Sequence, residues 1–140
     1  MIRERGEAVG FAFSPQGRDR IWNTFNAHRL LYWAGEQGAA QQLALKKALL
    51  QAYHGEGRST EDKAVLLAAV EQAGLDTARA GEILAGEEFA GEVKARERRF
   101  QQLGISAVPS VILNDKYLVQ GGQPPELFQQ ALQQAAAEAA

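Results

Sequence analysis

Gly104-Ile105-Ser106-Ala107-Val108-Pro109-Ser110-Val111-Ile112-Leu113 is the stretch that decides the fold. Upstream of Gly104 apolar residues recur at helical spacing; from Ser110 to Leu113 they run together, as in a short buried strand. A proline has no N–H to give to a sheet, so taken alone Pro109 reads as the start of a trans edge strand. Asn114-Asp115-Lys116 joins this run to a second one, Tyr117 to Gln120, which is a hairpin signal. Gly121-Gly122 ends the second strand. Pro124 or Pro125 then opens a last helix, where its missing N–H costs nothing. Leu127, Phe128, Ala131, Leu132 and Ala135 supply the apolar face of that helix.

Working backwards, the pattern is helical. A helix from about Glu87 to Leu103 would turn Phe89, Val93, Phe100 and Leu103 inward and stop at Gly104. A short helix capped by Asp76 contains Ala80, Ile83 and Leu84. Before it, Ser59 or Thr60 is placed to cap a helix whose face is Leu66, Ala69, Val70 and Ala73, with Glu61 and Asp62 near its positive end. The segment from about Ala40 to Tyr53 carries Leu45, Ala48, Leu49, Ala52 and Tyr53 at the spacing of a buried stripe, and His54-Gly55-Glu56-Gly57 breaks it. The first strong helix runs from Asn23 or Thr24 to about Glu36, with Ala27, Leu30, Leu31 and Ala34 on one face. Residues 1 to 20 read as polar loop, apart from Val9, Phe11 and Phe13, whose alternation suits a short strand or an extended segment on a helix. The expected order is five helices, a hairpin and a helix: an α/β protein, mostly helical, with segments 1–20, 21–103 and 104–140. No internal repeat and no interdomain linker interrupts it.

Composition removes several classes of function. A length of 140 residues suits one domain. A net charge of −2 gives no electrostatic case for nucleic acid. The basic run Lys94-Ala95-Arg96-Glu97-Arg98-Arg99 is diluted by Glu92 and Glu97 and reads as a solvated helix face. No apolar run approaches the roughly 18 residues of a membrane span, and no signal peptide is visible, so the expected location is the cytoplasm. With no cysteine, this polypeptide by itself forms no disulfide, no thiolate metal site and no thiol nucleophile. His28 and His54 are the only histidines, too few for a histidine-rich metal site. No cofactor is expected.

Three stretches resemble the DsbA-like thioredoxin family, and within it the FrnE branch of dithiol–disulfide isomerases. Asn23-Thr24-Phe25-Asn26-Ala27-His28-Arg29-Leu30 is similar to the signature that opens the family's helical insertion. Ala52-Tyr53-His54-Gly55-Glu56-Gly57 resembles the helix end and turn where the family has Tyr-Phe and Gly. Gly104 to Ser110, continuing to Gly121-Gly122-Gln123-Pro124, resembles the cis-proline strand, the hairpin and the start of the last helix. Gly74-Leu75-Asp76 also fits. The likeness runs from about Val9 onward.

The resemblance implies that the Val108–Pro109 bond is cis. Val108 would offer its N–H and C=O to an extended peptide or thiol substrate, and Pro109 would hold that surface in place. It implies too that His28 lines a cleft between insertion and core as a substrate contact. Family members begin with a βαβ unit carrying Cys-x-x-Cys at a helix start, where the helix dipole lowers a thiol's pKa. Such a unit takes at least about 30 residues, and this sequence lacks it. The expected reading is therefore a truncated product or a natural short form of a thiol–disulfide oxidoreductase, redox-inactive as written, so that enzyme status stays open. Two alternatives stand beside it: a non-catalytic binding or dimerisation module, and a glutathione-dependent isomerase or transferase relative. Without the first unit, the strand Ser110–Leu113 would keep an open edge, which invites homodimerisation. Other residues weigh less. His54 is a weaker candidate than His28, Asn23 reads as a cap, and Trp22, Tyr32 and Trp33 read as packing. Ser106 and Ser110 lack a base nearby in sequence, and Glu87 and Glu88 point apart on their helix.

Overall fold

The computed structural model describes residues 1–139. Seven helices and two strands run in the order α1 (Ile2–Ala8), α2 (Phe25–Gln37), α3 (Ala39–Leu50), α4 (Lys63–Gln72), α5 (Thr77–Ala85), α6 (Ala90–Gln102), β1 (Ser110–Leu113), β2 (Tyr117–Gln120) and α7 (Pro125–Ala139). A π turn, Gln51–Gly55, continues α3. The chain forms two compact units, residues 1–94 and residues 95 onward. The result is a mostly helical α/β fold with a two-stranded antiparallel sheet among the described residues.

The first unit is a bundle. Leu30 from α2, Leu45 from α3, Leu66 and Val70 from α4 and Ile83 from α5 are its fully buried large side chains. Removing each of them from water stabilises the fold by about 1.5–3 kcal/mol. The helix starts are fixed by short polar side chains. Asp76 Oδ1 accepts from the Arg79 N–H at 3.0 Å to cap α5. Asn23 Oδ1 accepts from the Phe25 N–H at 2.8 Å, so it satisfies a first-turn donor of α2 although Thr24 is the flanking residue. The start of α4 differs from expectation: Asp62, not Ser59 or Thr60, is its cap, accepting from the Ala64 N–H at 2.8 Å. Ser59 and Thr60 are engaged elsewhere. Ser59 Oγ accepts from the Glu61 N–H, and the Thr60 hydroxyl donates to the Asn23 carbonyl.

At the N-terminus the structure corrects the loop reading of residues 1–20. Ile2–Ala8 is a helix. Its sequence carries no apolar stripe, so periodicity could not reveal it; it is held from outside. The Arg3 guanidinium donates to the carbonyls of Ser14 and Pro15 at 3.0 and 3.1 Å. Buried Gly6 lets the ring of Phe13 come so close that a Cβ there would meet it at 2.6 Å. Phe11 and Phe13 lie on an extended segment that joins no sheet, with their rings edge to face at 5.0 Å.

In the second unit β1 and β2 form an antiparallel pair with Ser110 opposite Gln120 and Leu113 opposite Tyr117. Asn114 and Asp115 turn the hairpin with φ of 51° and 53°, the left-handed geometry that lets a tight turn follow the twist of its strands. Pro125 is the first residue of α7, and Ala135 is its buried contact. Two expectations about helix faces fail. Phe100 and Leu103, expected inward, are 44% and 53% exposed. Both lie in the second unit, within or just after a stretch dominated by charged and polar residues from Arg96 to Gln102. Leu127 and Leu132 of α7 are likewise exposed, because the helix turns the stripe of Phe128, Ala131 and Ala135 away from water instead.

Candidate functional site

The loop that precedes β1 is held at both ends. The Ser106 N–H donates to Gln120 Oε1 at 3.2 Å, and the Ser110 hydroxyl donates to the Ala107 carbonyl at 2.6 Å. The Pro109 carbonyl accepts from the Gly121 N–H at 2.7 Å. Between these ties the Val108–Pro109 peptide bond is cis, and Val108 is 88% exposed. Among the described residues no hydrogen bond engages the N–H or the C=O of Val108. A pinned loop with an unengaged donor and acceptor at its tip can accept an extended chain through main-chain bonds. The Ser110 hydroxyl on this loop is committed to a carbonyl, and the chain has no thiol.

His28 lies elsewhere, on α2, in a cleft of about 300 Å³ within the first unit. His54, from the π turn, lines the same cleft, together with Arg18 and Lys46. Leu31, Leu49 and Tyr53 give it apolar wall. The π turn follows directly on α3, and the Ser14 N–H ties down the His54 carbonyl at 2.8 Å. The imidazole of His54 packs edge to face on Phe13 and Tyr53. Partial burial, and then the nearby Arg18 guanidinium, lower its pKa below the usual histidine value. The Arg18 guanidinium lies over the Tyr53 ring, 4.8 Å from its centre.

The remaining residues singled out in the sequence serve packing or local bonding. Trp22 and Trp33 are buried, Trp22 edge to face with Tyr53 at 5.3 Å, and Tyr32 packs on Phe89 at 5.4 Å. The Asn23 N–H donates to Glu61 Oε1, whose carboxylate also pairs with Arg20 at 2.6 Å. Glu88 is taken by Arg79, whose hydrogen bonds hold its carboxyl below the ordinary range. Among the described residues no group of three or more potential ligands could hold a metal ion, and no helix is long and apolar enough to cross a membrane.

Sequence reasoning missed Arg29. It is buried, and its guanidinium donates to the carbonyls of Ile83 (2.6 Å), Gly86 (2.7 Å) and Glu88 (2.8 Å) and to Asn26 Oδ1 (3.0 Å). One side chain thus satisfies carbonyls at the end of α5 and in the link to α6. Arg29 stands inside the quoted Asn23–Leu30 motif, one turn before Trp33 on the buried side of α2. A cation on the apolar face of a helix was the signal that marked it out.

A family model, the DSBA-like thioredoxin domain, matches residues 2–133. The solved structure of a probable DsbA oxidoreductase from Streptomyces coelicolor superposes with a TM-score of 0.89 at 37% identity, covering 98% of this chain. The chain spans 58% of the length of that protein. Among curated proteins none matches.

Proposed function

Because this chain belongs to the family of the DSBA-like thioredoxin domain, we propose that it is a portion, or a short form, of a FrnE-type thiol–disulfide oxidoreductase that performs no redox step by itself. The observation that carries this reading is the absence of any cysteine from a chain that matches the family model over 2–133. Thiol–disulfide exchange needs a thiolate to attack and a second sulfur to leave, and neither is here. What survives is a surface for substrate. Val108 presents its free N–H and C=O to an extended peptide, and Pro109, tied to Gly121, keeps that backbone in place. In this reading residues 21–103 form the helical insertion and 104–140 the C-terminal part of the thioredoxin-like core.

The test is a turnover assay. With dithiothreitol as reductant, the purified chain leaves the rate of insulin disulfide reduction at its uncatalysed value. A rate that rises in proportion to the concentration of this chain would refute the reading.

A binding or dimerisation module is the second reading, favoured by the same sheet. It has two strands among the described residues, and Val111 and Leu118 on it are 37% and 39% exposed. A two-stranded sheet is marginal alone, and its unpaired edge suits a second copy of this chain.

A further inference from the structure

The cleft of the first unit is one-sided in charge. Arg18 and Lys46 line it beside His28 and His54, and no carboxylate lies among its lining residues. Among the described residues neither Arg18 nor Lys46 takes part in an ion pair, whereas Arg20, Arg58, Arg79 and Lys116 each meet a carboxylate. Leu31, Leu49, Leu50 and the ring of Tyr53 give apolar wall, with Thr24 and Thr60 completing the lining. A volume of about 300 Å³ is that of a small-ligand pocket, one that combines apolar wall with a few convergent polar groups.

We propose that this cleft binds a small organic anion with an aromatic or branched apolar body. Arg18 and Lys46 hold the anionic group, the imidazoles of His28 and His54 are neighbouring polar contacts, and the apolar body rests on Leu49 and Tyr53. The reasoning is electrostatic. Two like charges facing one partly enclosed volume repel each other, and a bound anion relieves that repulsion while replacing water on both cations. An inorganic ion would use only half of the wall; the apolar half selects a ligand with a body. Every lining residue belongs to the first unit, so the inference stands whether or not Val108 receives a peptide.

The two histidines of the chain both line this cleft, so their ring signals in NMR report on it alone. The experiment titrates the full chain with phenyl phosphate, an aromatic dianion, and with benzyl alcohol, its uncharged counterpart. Phenyl phosphate is expected to shift both histidine rings along one saturable curve, and benzyl alcohol to produce no saturation. R18Q and K46Q each weaken the binding by about 3- to 10-fold, the scale of one charge-assisted contact. K47Q removes the same charge from the next residue of α3, which does not line the cleft, and leaves the affinity unchanged. All three replace exposed side chains, so the bundle is kept. Unsaturable histidine shifts would overturn the proposal. So would equal affinity for benzyl alcohol, or a loss in K47Q as large as that in K46Q.

Discussion

Arg29 shows how much a single side chain can hold in a bundle of this size. It donates to three backbone carbonyls, of which Ile83 also accepts from the Gly86 N–H at 3.3 Å while Gly86 and Glu88 rely on Arg29. Replacement by alanine removes the donor from the Gly86 and Glu88 carbonyls and half the satisfaction of Ile83, a loss of about 2 kcal/mol or more in stability, read as a lower midpoint in urea unfolding. R29K recovers only part of this, because an ammonium cannot reproduce the fork of donors. Gly57 is a second such position. Its φ is +65°, and a Cβ would lie 2.5 Å from the Gly17 carbonyl oxygen. G57A is therefore expected to cost about 1–3 kcal/mol in the same measurement. His54 gives a pH signature. Burial and Arg18 lower its pKa in the folded chain, so the unfolded chain binds a proton more readily. The contribution of His54 to stability is present above its unfolded value of about 6.5 and is lost as pH falls through the lower folded value. An NMR titration should place the His54 midpoint below 6.5, and R18Q should move it up.

At the scale of elements, what the sequence disclosed and what it hid follow from how each signal arises. The hairpin was legible to the residue, because β-rich runs flank Asn114-Asp115-Lys116 and glycines close the second strand. Asp76 was legible as a cap for the same reason: the backbone it serves is two or three residues away. The α1 helix was not legible, because what holds it, Arg3 on the Ser14 and Pro15 carbonyls, comes from the fold rather than from a stripe. The cap of α4 was misplaced by two or three residues, since Ser59, Thr60 and Asp62 are all good caps, and the fold takes Ser59 with the Glu61 N–H and Thr60 with the Asn23 carbonyl. The Val108–Pro109 loop was legible in the order of its residues, whereas the cleft was not. Arg18, Lys46 and His54 meet His28 only through folding. Two substitutions test this scale. D76A removes the α5 cap and should cost about 1 kcal/mol. D115G relieves a non-glycine residue at φ of 53° and should gain several tenths of a kcal/mol or more.

The whole molecule pairs a well-packed helical bundle with a small sheet whose apolar residues are half covered. Val108, Val111, Leu118 and Leu132 of the second unit are all exposed. We propose that this surface is met by a second copy when the chain stands alone, and light scattering at micromolar concentration should then give twice the monomer mass of 15.2 kDa. A monodisperse monomer would dispose of that idea. The redox reading turns on a different mass. The polypeptide captured from its source cells with an antibody against residues 21–103 can be weighed intact. A value well above 15.2 kDa, with a Cys-x-x-Cys segment in the additional sequence, is the expected result and assigns the oxidoreductase activity to the longer protein. A value equal to 15.2 kDa would contradict the portion reading and leave the cysteine-free short form as the working protein, a binder rather than a piece of an enzyme.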